Sequence, residues 1–154
     1  MKKLLVALML VVGSVATMNA QHRAIGALVG YGIEVSYQRD MGQSNMLSLD
    51  LGIPGFYGVG LVGTYDWIFP INAWKEAGSW NWYAGVGAGV GINFNAYFNV
   101  GVAGRVGVEY NFGDIPLQLS LDYRPVVGPY FGGDGIGFHG SGMASGGIGV
   151  RYRF

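Results

Sequence analysis

The chain contains no cysteine. Disulfide frameworks, thiolate metal sites and cysteine nucleophiles are therefore excluded. Charge is scarce as well. Only 12% of the 154 residues are Asp, Glu, Lys or Arg, about half the usual share for a soluble domain, and the formal net charge is zero. So few charges cannot cover the surface of an ordinary dissolved globule, and no basic excess advertises nucleic acid. Two histidines occur, His22 and His139, too far apart to make a metal case. No cofactor is expected. Past residue 20, no apolar run approaches the roughly 20 residues that a spanning helix requires. A mature chain embedded in a membrane therefore has to be a barrel.

What the sequence has in quantity is apolar side chains, at 51%, with 29 glycines, 10 tyrosines and 8 phenylalanines. Residues 1–20 read as a secretory signal peptide. Lys2 and Lys3 precede the apolar run Leu4 to Val12, and small residues follow. Cleavage is expected after Ala20, or after Ala16, which places Ser14 at the −3 position. Losing Lys2 and Lys3 leaves seven basic and nine acidic residues, a net charge of −2. Residues 21–154 form one domain.

That domain alternates with period two almost throughout, the mark of β-strands. At the end of the chain, Ile148, Val150, Tyr152 and Phe154 share one face while Gly149, Arg151 and Arg153 share the other. The same order runs through residues 25–38, 47–53, 58–69, 80–93, 98–112 and 117–124. Polar or Pro/Gly breaks lie between them, and Pro125 to Gly140 reads as a long Gly-rich loop. A soluble strand turns its apolar face to a core. Here the apolar faces are too many and the charges too few, so an inverted barrel is expected, apolar outside and polar inside. The fold class is all-β: an antiparallel, up-and-down transmembrane β-barrel. The plain reading gives seven long strands. Even parity favours eight, with Gly30-Tyr31-Gly32 as a tight hairpin that splits 25–38 into two strands.

The face opposite the apolar one carries Glu34, Asp50, Asp66, Arg105, Glu109, Asp122, Arg124, Arg151 and Arg153. Eight strands enclose just enough room for side chains, so these charges are expected to fill the interior as a paired network. Arg151 and Arg153 are expected to pair with Asp122, Glu34 or Glu109 rather than to hold a free anion. Gly85, Gly87, Gly89 and Gly91 leave space on one wall, expected to accept large neighbours such as Tyr83 or Arg105. On the outer face Tyr37, Tyr65, Trp67, Phe69, Trp80, Trp82, Tyr110, Phe112, Tyr152 and Phe154 fall at the ends nearest the C-terminus, as one aromatic girdle.

Two motifs bear on chemistry. Gly58 to Gly63 matches G-x-G-x-x-G, but it sits inside an alternating strand with no helix to follow, so a dinucleotide site is not expected. His139-Gly140-Ser141 is similar to the His-x-Ser pair of lipid A deacylases, which are outer-membrane barrels. That likeness implies His139 as base and Ser141 as nucleophile. The sequence departs from that family because the pair is embedded in glycine. The nearest acid, Asp134, lies in the preceding segment rather than on the same strand.

The segments Gly63 to Phe69, Trp80 to Gly89, Gly107 to Phe112, Ile115 to Pro125 and Val150 to Phe154 resemble small bacterial outer-membrane β-barrel proteins of the Bacteroides type, with an OmpX- or OmpA-like transmembrane architecture. The final Phe154 resembles the C-terminal signal read by the barrel-assembly machinery. The resemblance implies a bacterial outer-membrane location and lipid as a partner, and it carries no functional residues. The expected role is structural or surface interaction without catalysis. An extracellular ligand is expected at 125–140, with Tyr130, Phe131 and Phe138 as contacts. A lipid hydrolase and a narrow porin-like channel are the alternatives.

Overall fold

The computed structural model describes residues 23–74, 77–132, 135–140 and 145–154. The leader, its cleavage sites, His22, Asp134 and Ser141 lie outside the described residues. Ten strands follow in order: β1 (Arg23–Gly30), β2 (Gly32–Asp40), β3 (Asn45–Pro54), β4 (Gly58–Pro70), β5 (Gly78–Asn93), β6 (Phe98–Phe112), β7 (Leu117–Tyr123), β8 (Val126–Gly132), β9 (Gly135–Gly140) and β10 (Gly146–Arg153). Each pairs antiparallel with its neighbours. The ring closes where β1 meets β10, from Ala24 opposite Arg153 to Gly30 opposite Gly147.

Ten strands make an eight-stranded barrel because two pairs are collinear. β7 and β8 meet β6 in one unbroken register, Tyr123 opposite Val106 and Val126 opposite Ala103. Arg124 and Pro125 interrupt them, and the Gly104 N–H donates to the Pro125 carbonyl at 3.0 Å. β10 pairs with β7, and β9 pairs with β8, so these two also continue one another around the ring. The parity argument for an eighth strand holds. Tyr31 alone separates β1 from β2.

Segment 125–140 is not a loop. It is the β8–β9 hairpin, standing above the closed part of the ring. Its glycines and Pro129 hid it. Val127, Pro129 and Phe131 still alternate with Val126, Gly128 and Tyr130, and Pro129 pairs with Phe138 of β9 while the ladder to β6 skips it. A proline without an N–H is tolerated at such a gap.

Exposure follows the alternation with the sign inverted. Val100, Val106 and Leu119 are 36%, 46% and 36% exposed, whereas Arg105 and Asp122 are each 3% exposed. Turns are short. Gly55 and Phe56 both have φ near +60°, the type I′ geometry that matches strand twist in a tight hairpin. The glycine run of β5 makes a corner. Cα atoms of β4 and β6 come within 8 Å across it, where a flat sheet would hold them about 9.6 Å apart.

One glycine there is indispensable. A Cβ at Gly107 would lie 2.5 Å from the Tyr83 ring and 2.8 Å from the Leu121 carbonyl. Tyr83 is fully buried and cannot step aside. Gly107→Val is expected to lose about 1–3 kcal/mol by overpacking, read as a lower urea midpoint. Gly104→Val is the control. Its Cβ meets only Pro125, at 3.9 Å.

Candidate functional site: a charged septum beneath a cavity

Strand alternation aims every second residue of eight strands at one axis, and the interior is built from those residues. Arg105 of β6 is the hub. Its Nε and Nη2 donate to Asp122 Oδ1 at 2.9 and 2.7 Å, and Nη1 donates to Asp50 Oδ2 at 3.3 Å. The same Nη1 stands 3.7 Å from Asp66 Oδ2. Asp66 also accepts from Ser48 Oγ at 2.7 Å and Thr64 Oγ1 at 3.1 Å. Tyr83 donates its hydroxyl to Asp122, and its ring packs 5.4 Å from the Arg105 guanidinium carbon.

Two further arginines flank the hub. Arg151 donates to Ser36 Oγ at 2.8 Å and Ser120 Oγ at 2.6 Å, with Asp122 Oδ2 at 3.4 Å. Arg124 donates to Glu34 Oε2 at 2.6 Å and also to Asp50. The side chains of Arg105, Arg151, Asp50, Asp66 and Asp122 are at most 2% exposed. Charges this buried persist only because each has an opposite partner and further hydrogen bonds.

Two expected members stand apart. Glu109 meets amides rather than an arginine. Asn81, Asn111 and Gln118 donate to it at 2.9, 3.1 and 2.5 Å. Arg153 donates to the Phe112 carbonyl at 2.6 Å. Inward parity also places the neutral donors Ser36, Ser48, Thr64 and Ser120 in this interior, but a search for formal charges alone misses them, and it finds Tyr83 only as a space-filling neighbour of the β5 glycines rather than as a donor to Asp122. It also passes over the buried Arg23, whose place at the start of β1 precedes the alternating run.

The septum separates two cavities that share no lining residue. The lower, about 350 Å³, opens on the side of the C-terminus and is lined by Gln38, Glu109, Asn111, Gln118 and Arg153 among others. The upper, about 570 Å³, is lined by Gly58, Gly60, Gly89, Gly91 and Gly128, with Val62 and Val126 below them and Arg124 and Glu34 at its base. The β5 glycines each give way to a neighbour. Gly85 makes room for Asp66, whose Oδ1 would stand 2.0 Å from a Cβ there, while in the wall of the upper cavity Gly89 makes room for Val62 and Val126, at 3.1 and 3.3 Å, and Gly91 for the Asn99 amide, at 2.8 Å. Gly58 and Gly60, the start of the G-x-G-x-x-G match, lie in β4 and face that same space.

The ten girdle residues project from the outer face near the C-terminal rim. Phe69 stacks on Trp82 at 4.3 Å between centroids, Trp80 meets Tyr110 at 4.8 Å, and Tyr152 meets Phe154 at 6.4 Å. A second aromatic group on the opposite rim escaped the sequence reading. Phe98 faces Phe131, and Tyr97 meets Tyr130 edge-on at 5.8 Å. Of the expected loop contacts, Tyr130 lines the upper cavity, whereas Phe131 and Phe138 alternate to the outer face. His139 also lines that cavity. No family model, curated protein or solved structure matches this chain.

Proposed function

We propose that this chain is a small outer-membrane β-barrel, sealed across its middle and open as a cup on the side away from its C-terminus. Its role is surface interaction rather than transport or catalysis. The observation that carries this reading is the inverted exposure of adjacent residues. Leu121 is 63% exposed and Asp122 is 3% exposed. Water is a poor solvent for the resulting coat of Val, Leu, Ile and aromatic side chains, and hydrocarbon is a good one.

Dimensions support it. From Phe98 to Tyr110, twelve residues along β6, the strand covers about 40 Å. At the usual barrel tilt that is roughly 30 Å along the axis, the thickness of a bilayer's hydrocarbon core. Aromatic groups stand at both ends of that span, as they do where barrels cross the two interfaces. In this reading Phe154 is offered to the barrel-assembly machinery, and the C-terminal rim faces the periplasm. The three arginines and four carboxylates of the septum argue against a conducting path.

Membrane fractionation with heat-modifiable electrophoretic mobility tests the reading. The chain is expected in the outer-membrane fraction, migrating faster unboiled than boiled. Planar-bilayer recordings of the purified protein are expected to be silent. A soluble chain, or steady unit currents, would remove the corresponding half of the proposal.

A further inference from the structure

Five glycines around the upper cavity are each covered by an aromatic or amide side chain from a neighbouring segment. Gly58 pairs with Asn93, Gly91 with Asn99 and Gly137 with Tyr130. Asn93 Oδ1 stands 2.9 Å from where a Cβ of Gly58 would lie, and Asn99 Oδ1 stands 2.8 Å from that of Gly91. The Tyr130 ring takes the Cβ place at Gly137, and the Tyr97 ring takes that at Gly132. The Tyr31 hydroxyl lies 2.8 Å from the Cβ place at Gly55. A ring laid across a strand glycine restores packing that the glycine lacks. All five of these side chains also line the cavity.

Their chemistry is uniform. A tyrosine hydroxyl and a carboxamide each both donate and accept hydrogen bonds, and neither is charged at neutral pH. Among the described residues, the formally charged side chains of the lining are Arg124 and Glu34, at the base. They pair with each other at 2.6 Å, and Arg124 also holds Asp50. The lining therefore offers no unmatched charge to draw an anion or a cation. An acyl tail would strip water from the amides and the ion pair and return no hydrogen bond. What fits is a neutral ligand, dense in groups that both donate and accept, with C–H surface to lay on aromatic carbon. A saccharide has that make-up, with hydroxyls around the ring edge and C–H bonds on the faces. The volume of about 570 Å³ falls inside the range of small-molecule sites. Side chains already seated on glycines have little freedom left to lose when such a ligand arrives.

We propose that the cup is a saccharide site, taking the end of a neutral oligosaccharide. This deepens the surface-interaction reading and rests on it for the side to which the cup opens, though not for the site.

The test uses the full chain folded in amphipathic polymer. Maltotriose, cellotriose, mannotriose and triacetylchitotriose are titrated by calorimetry, with trigalacturonate and dodecanoate as charged and apolar competitors. One of the four neutral trisaccharides is expected to bind, one per chain. Asn99→Leu and Tyr130→Leu keep the glycines covered but remove the polar atoms, and each is expected to weaken that binding at least tenfold. Phe138→Ala, on the outward face of the hairpin, leaves it unchanged. Heat-modifiable mobility of each variant confirms folding. If Asn99→Leu does not fold, Gly60→Phe replaces it and fills the cup, since a Cβ there meets Pro54 at 3.1 Å and no backbone atom nearer than 3.6 Å. A wild-type chain that takes none of the four overturns the proposal, as does one that prefers trigalacturonate or dodecanoate. Unchanged affinity in the cup variants, or an equal loss in Phe138→Ala, overturns it too. A chain recovered in the soluble fraction that still binds a trisaccharide in the cup sinks the membrane reading and leaves the site standing. A heat-modifiable outer-membrane chain that binds none does the reverse.

Discussion

Leu121→Arg is expected to abolish the fast-migrating folded form in membranes, or to lower its unfolding free energy by about 2–4 kcal/mol in phospholipid vesicles. The sign of this effect depends on what surrounds the barrel. Leu121 is 63% exposed, on β7, and its side chain points away from the interior. In water, such an exposed leucine is replaced by arginine at a cost within about 0.5 kcal/mol. In hydrocarbon, the guanidinium has to be desolvated or drawn to an interface. Leu121 faces outward within the apolar band, opposite Val108 on β6 and Ile148 on β10 and four residues along β7 from Leu117, the partner of the girdle residue Tyr152. Urea titration in vesicles, with Asp114→Asn in an exposed turn as the control, measures the difference. A Leu121→Arg protein as stable as the control would mean that water wets this face.

Arg105→Met is expected to cost about 3–5 kcal/mol in the same titration. The substitution keeps much of the volume and removes the charge. Asp122 would retain Arg151 at 3.4 Å, and Asp50 would retain Arg124. Asp66 would be left with Ser48 and Thr64 hydroxyls and no cation. Four carboxylates would then face two arginines in a space closed to solvent. The cost comes mainly from the charges stranded, so Asp66→Asn on top of Arg105→Met should recover part of the loss. A double variant no more stable than the single one would contradict that assignment. In planar bilayers the single variant is expected to pass intermittent current where the wild type passes none, because the hub of the septum is gone.

The outward and inward faces were legible because period two survives any error in strand boundaries. Val106 and Arg105 fall on opposite faces wherever β6 begins. The β1–β2 hairpin was legible for a different reason: parity demanded a turn, and Tyr31 is flanked by glycines. The β8–β9 hairpin was not legible. Glycine carries no face, Pro129 mimics a break, and Gly128, Gly132, Gly135 and Gly137 blur the pattern. The septum was half legible. Inward parity named its charges, but the pairing of Arg105 with Asp50, 55 residues away, depends on register around the ring. The upper cavity could not be read at all. It is made by side chains that are missing, and Gly60 faces Gly91 only once β4 and β5 are aligned.

The seam between β1 and β10 has a consequence for assembly. The Phe154 N–H donates to the Arg23 carbonyl at 2.8 Å, and the Arg23 N–H donates to the Phe154 carbonyl at 3.2 Å. The ring is therefore fastened by its two most distant pieces of sequence. Until β10 emerges and finds β1, the growing polypeptide carries two bare, sticky margins, and contacts of such long range form slowly. A chain with both margins bare is open to pairing with other chains for as long as the last strand is missing, and closure removes both margins in one step.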